Sequence, residues 1–475
     1  MRRRILKYCM IFFTLIAFSC EDILDITVKS SITGQNFWQS ENDFTSYVFG
    51  IYSQFRRHLD NMAFGEDRCE MWKTGYNERF SPYWSQNITA GNTRDWTSYY
   101  GTIGNCNLLL EKIDNFQFSN SDTKNSIKAE TYALRAAMYF YLAKIWGNIP
   151  LVLNPVVDEN EPLYPRTPVS EIFTQINSDI SKSLQLFPEA GYADKYRFSK
   201  PAVYALLADV KMWTGKVLNG GNPDFNEAID AIGEVENSNV ALLTDYGSIF
   251  SNRKNNEIIL SIYLNRDEYT SEQYNLAFLR FGTSGGADNA SALPMSLVGQ
   301  QAYTLSPRAL ALFQNYPEDK RIARTYIPEI IQGNIVNYWP NKFRGTQYAD
   351  DRISDSDIII YRLSDMLLLK AEAYAALNQP ENALKCLNKV RERAGIPLFT
   401  ENNKVLLEKE ILDERGRELF HEMKRWWDLV RAHKSGVINV YEYVPNLKGK
   451  NTPLYWAVHT NVMAKNPKIE QTTGY

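Results

Sequence analysis

Cysteine and histidine are scarce in this chain. Its 475 residues include five cysteines and four histidines, and Cys9, Cys20, Cys69, Cys106 and Cys386 form no C-x-x-C pair and no metal-ligand spacing. That excludes zinc-ribbon and thioredoxin-type chemistry. Basic excess is missing too: a net charge of −3 and a pI near 6.0 leave no footprint for nucleic acid. No apolar run reaches the roughly 20 residues of a membrane-spanning helix. No phosphate-cradling G-x-x-x-x-G-K occurs, "GTSGG" at Gly282–Gly286 lacks the pattern of a nucleophile elbow, and there is no low-complexity tract. "HEMKR", His421–Arg425, misses the zinc-protease motif because Arg425 stands where the second ligand belongs.

What is present begins with a leader. Arg2, Arg3, Arg4 and Lys7 precede an uncharged stretch, Tyr8–Ser19, in the pattern of a secretory signal. Ala17 and Ser19 are small at the positions a peptidase reads, which makes Cys20 the first mature residue. The arrangement resembles a lipobox, with alanine where leucine is usual, and Glu21, Asp22 and Asp25 resemble a surface-export signal of Bacteroidota-type lipoproteins. Two or three acyl chains on Cys20 would hold the protein stably, at about 0.8 kcal/mol per buried CH₂. Cys69, Cys106 and Cys386 read as isolated thiols, with a Cys69–Cys106 disulfide as the alternative.

The body of the chain reads as mainly α. In "KAETYALRAAMYFYLAKIW", Lys128–Trp146, small and aromatic residues recur at three- and four-residue steps, with Gly147 and Pro150 as stops. Residues Ser199–Thr214 repeat the pattern, with Ser199 as N-cap, Pro201 in the first turn and Gly215 as the close. The clearest unit is Leu367–Gly395, in which Leu367, Ala371, Tyr374, Ala383, Leu387 and Val390 fall at the spacing of a tetratricopeptide helix pair. A weaker copy runs through Tyr204, Leu207, Ala208, Ala228, Ile232 and Val235. Such repeats need neighbours to bury their faces, so further copies are expected. By contrast, the segment from about 251 to 352 carries short apolar runs and glycines at Gly282, Gly285, Gly286, Gly299, Gly333 and Gly345, as loops with scattered strands do.

Four stretches carry a family resemblance. They are "AETYALRAAMYFYLAKIWGNIPLV", "DIIIYRLSDMLLLKAEAYAAL" with "ALKCLNKVRERAG", "ILDERGRELFHEMKRWWDLVR", and the closing "NPKIEQTTGY". In this order the chain resembles the SusD/RagB-type nutrient-binding outer-membrane lipoproteins. The resemblance implies tetratricopeptide-like repeats packed against an irregular, loop-rich ligand-binding half. It also implies a non-enzymatic lid over a SusC-like TonB-dependent transporter that receives oligosaccharides or, in some branches, peptides. The organisation expected is a signal at 1–19, a lipidated linker at 20–35 and one SusD-like domain at 36–475. Within that domain, repeats fill about 36–250 and 353–435 around an irregular part at about 251–352. Outer-membrane lipid would be met through acylated Cys20. No cofactor or metal is called for, and a structural calcium is left open.

Sugars present C–H faces to aromatic rings and hydroxyl rims to planar polar groups. Trp72, Tyr76, Tyr83 and Trp84, with Asp67, Arg68, Asn77 and Arg79 as hydrogen-bonding partners, are the first candidate platform, and Trp72–Trp84 reads as a loop. Tyr274, Phe278, Tyr338 and Trp339 are the second. Trp96 and Tyr100 follow a helical period and read as core. Glu414, Arg415, Arg417, Glu418, Arg425, Asp428 and Arg431 are spaced for ion pairs, and Trp426 and Trp427 are expected to bury against the repeats. Each ring covering about 60 Å² of sugar contributes about 1.5 kcal/mol. Three rings then give a weak, roughly millimolar affinity that favours oligomers. A peptide receptor on the same scaffold and a lid that binds no small ligand are the alternatives.

Overall fold

The computed structural model describes residues 37–76, 81–155, 162–188, 191–192, 194–271, 286–295 and 303–475. Cys20, Asn77, Arg79, Tyr274 and Phe278 lie outside the described residues. The chain divides into two compact units, Met1–Thr45 and Ser46–Tyr475. In the described part of the first, the Asp43 carboxylate accepts from the Gln39 and Ser40 amides at 3.0 and 2.6 Å. That satisfies donors at the start of the helix Glu41–Leu59, which the helix itself leaves without partners.

The second unit is a series of helices, each laid on the next. Thr97–Asp114 packs on Ser121–Trp146, then come Val169–Leu186, Lys200–Val217 and Asn222–Glu236. The last of these packs on Leu363–Ala376, so the repeat stack resumes across the irregular segment as though it were an insertion. Leu363–Ala376 pairs with Pro380–Ala394, which Gly395 closes in the left-handed conformation. Their shared core is Leu367, Leu368, Ala371, Ala383, Leu387 and Val390, joined by Leu407 and Ile411 of the helix Lys404–Glu418. This is the tetratricopeptide-like, mainly helical architecture the periodicity predicts. One detail differs. Gly215 lies inside its helix, which ends at Val217, because a Cβ there would meet the Phe225 ring at 2.5 Å; its role is close helix packing.

Between the halves of the stack, the described residues form short antiparallel pairs: Ile258–Ile262 with Ile358–Arg362, and Tyr326–Ile331 with Asn334–Pro340. Trp72–Thr74 is also a strand rather than loop, paired with Tyr303–Leu305. Cys69, Cys106 and Cys386 are free buried thiols, and burial raises the pKa of each.

The arginine-rich C-terminal stretch builds a buried ionic network. Arg321 binds Asp319, Glu414 and Glu418 at 2.7, 2.6 and 2.9 Å. Arg362 binds Glu257, Glu418 and Glu422 at 2.9, 2.5 and 2.7 Å, while Arg393 reaches Glu418 and Glu257. Every side chain named here is 5% exposed or less. The stretch is not one helix. Lys404–Glu418 and Arg425–Lys434 are separated by a turn in which His421 and Met423 take positive φ, 61° and 56°. Trp426 and Trp427 are buried beyond that turn, as expected, and Trp427 meets Trp213 edge to face at 5.9 Å.

Candidate functional site

Two of the four rings of the first aromatic platform lie inside the protein. Trp72 is 2% exposed, its indole N–H donates to Glu66 Oε2 at 2.9 Å, and its ring lies 4.7 Å from Phe420. Strand pairing with Leu305 fixes that orientation. Trp72 is therefore a core residue here rather than an open ring. Tyr83 is also buried, 4.5 Å from Trp456, and its hydroxyl donates to the Asn92 carbonyl.

The polar partners expected beside these rings are buried as well. Arg68 donates to Gln86 and to the carbonyls of Leu454 and Pro453 at 2.9, 2.8 and 2.9 Å, and stacks over Trp426 at 4.3 Å. Burial lowers its pKa to about 10. Asp67 is pushed up to about 6 by burial, against the pull of Ser81, Arg94 and Tyr303. Both are structural clamps in this conformation. Of the two core expectations, Trp96 is 4% exposed. Tyr100 is half-buried and donates its hydroxyl to the Pro150 carbonyl at 2.7 Å.

The remaining candidates converge from both platforms. The exposed Tyr76 donates its hydroxyl to Glu329 Oε2 at 2.7 Å, and the buried Trp339 donates its indole N–H to the same oxygen at 2.9 Å. Tyr338, half-buried, sits next to Trp339 on the hairpin and meets Tyr326 at 5.6 Å. Trp84, also half-buried, donates to the Trp72 carbonyl at 3.0 Å. Tyr76, Tyr338 and Trp84 thus keep accessible surface, on a framework set by Glu329 and Trp72.

A second arrangement, absent from the sequence reading, is more open. A groove of about 530 Å³ is lined by Phe49, Tyr52, Arg56, Tyr196, Arg197 and Tyr263, among others. Phe49, Tyr52, Ser53 and Arg56 follow at three- and four-residue steps, so one face of the helix Glu41–Leu59 presents all four. Phe44, Val48, Ile51, Phe55 and Leu59 are buried on the other side. The Tyr196 and Tyr263 rings stand 5.1 Å apart. Tyr263 directly follows the strand Ile258–Ile262, whose pairing with Ile358–Arg362 holds it in place.

Three of these rings carry a cation. Arg197 lies 4.8 Å over Phe49, Lys254 4.4 Å over Tyr196, and Arg253 4.8 Å over Tyr263. These cations are themselves fixed, Arg197 on Glu130 at 2.6 Å, Lys254 on Asp194 at 2.8 Å and Arg253 on Asp357 at 3.2 Å, and Arg56 in the groove pairs with Glu268 at 2.8 Å. Asp357 accepts from the Tyr196 hydroxyl at 2.6 Å. The groove is thus a set of pre-positioned aromatic faces with a rim of polar groups, within the size range of small-ligand sites. The sequence signal that could have found it is Phe49, a large aromatic lying off the apolar stripe of its helix and 47% exposed.

Two family profiles match the chain, one described as the SusD family over residues 301–475 and one as "Starch-binding associating with outer membrane" over residues 25–212. The chain is a SusD-like family protein. A SusD-like protein of Formosa agariphila is 27% identical over 96% of each chain. A SusD superfamily protein of Bacteroides fragilis, solved as a crystal structure, superposes with a TM-score of 0.81 at 26% identity, over 92% of this chain and 100% of the other. The starch-binding protein SusD of Bacteroides thetaiotaomicron is 29% identical over a shorter stretch, 27% of this SusD-like chain and 22% of the other. No helix among the described residues is long and apolar enough to cross a membrane.

Proposed function

We propose that this SusD-like protein binds carbohydrate at the outer membrane and performs no chemistry on it. The observation that carries this reading is the groove of Phe49, Tyr196 and Tyr263, whose rings are held by cations and whose rim is polar. The starch-binding descriptions of the family profile and of the Bacteroides thetaiotaomicron relative support the ligand class. The carboxylates lining the groove, Asp194 and Glu268, are both ion-paired, so neither is arranged as a free proton donor. Tyr76, Tyr338 and Trp84 form a further contact face for ligand or for a partner. The ligand passes to a SusC-like TonB-dependent transporter, and acylated Cys20 holds the protein at the cell surface.

Calorimetry of the soluble Glu21–Tyr475 protein against neutral and charged oligosaccharides and peptides tests the ligand class. Weak binding that grows with oligomer length is expected, and Tyr263→Ala or Phe49→Ala should each weaken it about tenfold, which corresponds to 1.4 kcal/mol. Binding to peptides alone, or oligosaccharide binding indifferent to both substitutions, would displace the reading. For the anchor, Cys20→Ala should move the protein from the membrane fraction to the soluble one. Continued retention would remove Cys20 from that role.

A further inference from the structure

We propose that a pocket beside the aromatic groove binds an oxyanion, the carboxylate or sulfate ester of a charged sugar, through Arg324 and Arg344. The pocket measures about 350 Å³ and shares Lys254 with the groove. This deepens the carbohydrate reading by naming a class of sugar, and rests on it for the carrier of the anion.

Fully buried arginines elsewhere have their donors engaged, Arg68 by Gln86 and two backbone carbonyls and others by carboxylates. Arg321 and Arg362 each bind three. Arg324 and Arg344, both half-buried, form no ion pair among the described residues. Among the described residues, Arg324 Nε is buried with no hydrogen-bond partner, and Arg344 makes one long hydrogen bond, 3.4 Å to the Ala292 carbonyl. Burial and the charge of Arg344 lower the pKa of Arg324 to about 10.

The acids facing the pocket are already engaged. Asp355 accepts from the Thr346 amide and the Tyr348 hydroxyl at 2.9 and 2.8 Å. Asp357 accepts from Tyr196 and the Leu264 amide and pairs with Arg253. Asp245, which also acts on Arg324, is held by Ser248 and the Gly247 amide.

A second observation points into the same space. Ser261 lines the pocket at 2% exposure, and its hydroxyl has no hydrogen-bond partner. A buried hydroxyl in that state calls for an explanation, and a bound ion is one that also accounts for the two arginines. Two uncompensated guanidiniums and a hydroxyl donor suit an acceptor-only, negatively charged group, since arginine forks match carboxylate and sulfate oxygens in pairs.

The test uses the Glu21–Tyr475 protein with sodium sulfate, glucuronate and glucose at ionic strength matched with sodium chloride. Sulfate or glucuronate should raise the unfolding temperature while glucose and chloride do not. Arg324→Gln and Arg344→Gln should each weaken the response about tenfold, and Ser261→Ala, which leaves both charges in place, should weaken it less. Stabilisation by sulfate alone assigns a sulfate ester, and by glucuronate alone a uronate. Equal responses to glucuronate and glucose with none to sulfate, or an anion response unchanged in the arginine variants, would overturn the site. If the arginine variants do not fold, an anion response untouched by Ser261→Ala overturns it. Anion binding by a protein that binds no oligosaccharide would leave the pocket standing and defeat the carbohydrate reading instead.

Discussion

Replacing Glu418 with alanine is expected to cost this protein about 3–5 kcal/mol, the range found when one partner of a buried ion pair is removed. Glu418 is fully buried and serves three arginines, Arg321, Arg362 and Arg393, each of which would keep its charge with one counterion fewer. Arg321 and Arg362 belong to the irregular segment and the strand after it, and Arg393 to a repeat helix, so the loss strikes where the two parts of the fold join. Denaturant unfolding followed by tryptophan fluorescence reads the effect. A loss below about 1 kcal/mol would show that solvent or rearrangement compensates, and would remove the network from its structural role.

The same carboxylates set the acid limit of stability. Burial favours the neutral form of Glu414, but the charges of Arg321, Arg417 and Arg391 outweigh it and hold the pKa at about 2, against an ordinary 4.5. Glu418 is also held well below that value by its arginines against the effect of burial. A depressed carboxylate contributes its full share of stability above the unfolded value and loses it as pH falls through the folded one. Stability should therefore decline from about pH 4.5 towards pH 2, with a shallower slope in Glu414→Gln. An identical slope in that variant would assign the acid sensitivity to other groups.

Trp72→Ala should cost about 3–5 kcal/mol, as large-to-small changes of a buried aromatic do. The indole is closed in by Phe420 and His421 and donates to Glu66, whose pKa burial already raises to about 8. Removing the ring leaves a cavity and strips that carboxyl of a donor. The affinity of the molecules that remain folded should change little, because the ring has no open face. Unfolding free energy and oligosaccharide affinity measured on the same preparation separate the outcomes. A variant of unchanged stability with lost binding would return Trp72 to the ligand.

Why a sequence reading selects Trp72 and passes over Tyr263 follows from sequence distance. The repeat helices are local objects: Leu367–Gly395 contains its own periodicity, turn and cap, so its pairing is visible without the rest of the chain. The strand Trp72–Thr74 is short, and its partner is Tyr303–Leu305. No pattern within three residues reports a pairing that remote, so an aromatic-rich stretch reads as an open loop. The groove is harder still, being assembled from Glu41–Leu59, the turn before Lys200, the end of Ile258–Ile262 and Glu268. The break between Glu418 and Arg425 hides for another reason. Met423 has positive φ with no glycine to announce it, and its amide donates to Glu66 at 2.8 Å while its carbonyl oxygen lies 2.3 Å from where a Cβ on Gly65 would stand. A tertiary contact that close imposes a backbone that local propensity does not predict.

Arg68 has one consequence for how the molecule is made. Two of its three hydrogen bonds go to the carbonyls of Pro453 and Leu454, partners separated from it by 385 and 386 positions. A chain emerging from the ribosome amino end first therefore carries a guanidinium two of whose three acceptors have not yet been synthesised. The N-terminal helices can form early, but the region around Arg68 can close only when the last residues arrive. Nascent chains would accordingly stay open around Arg68 until translation ends, as the export proposed for this protein would require.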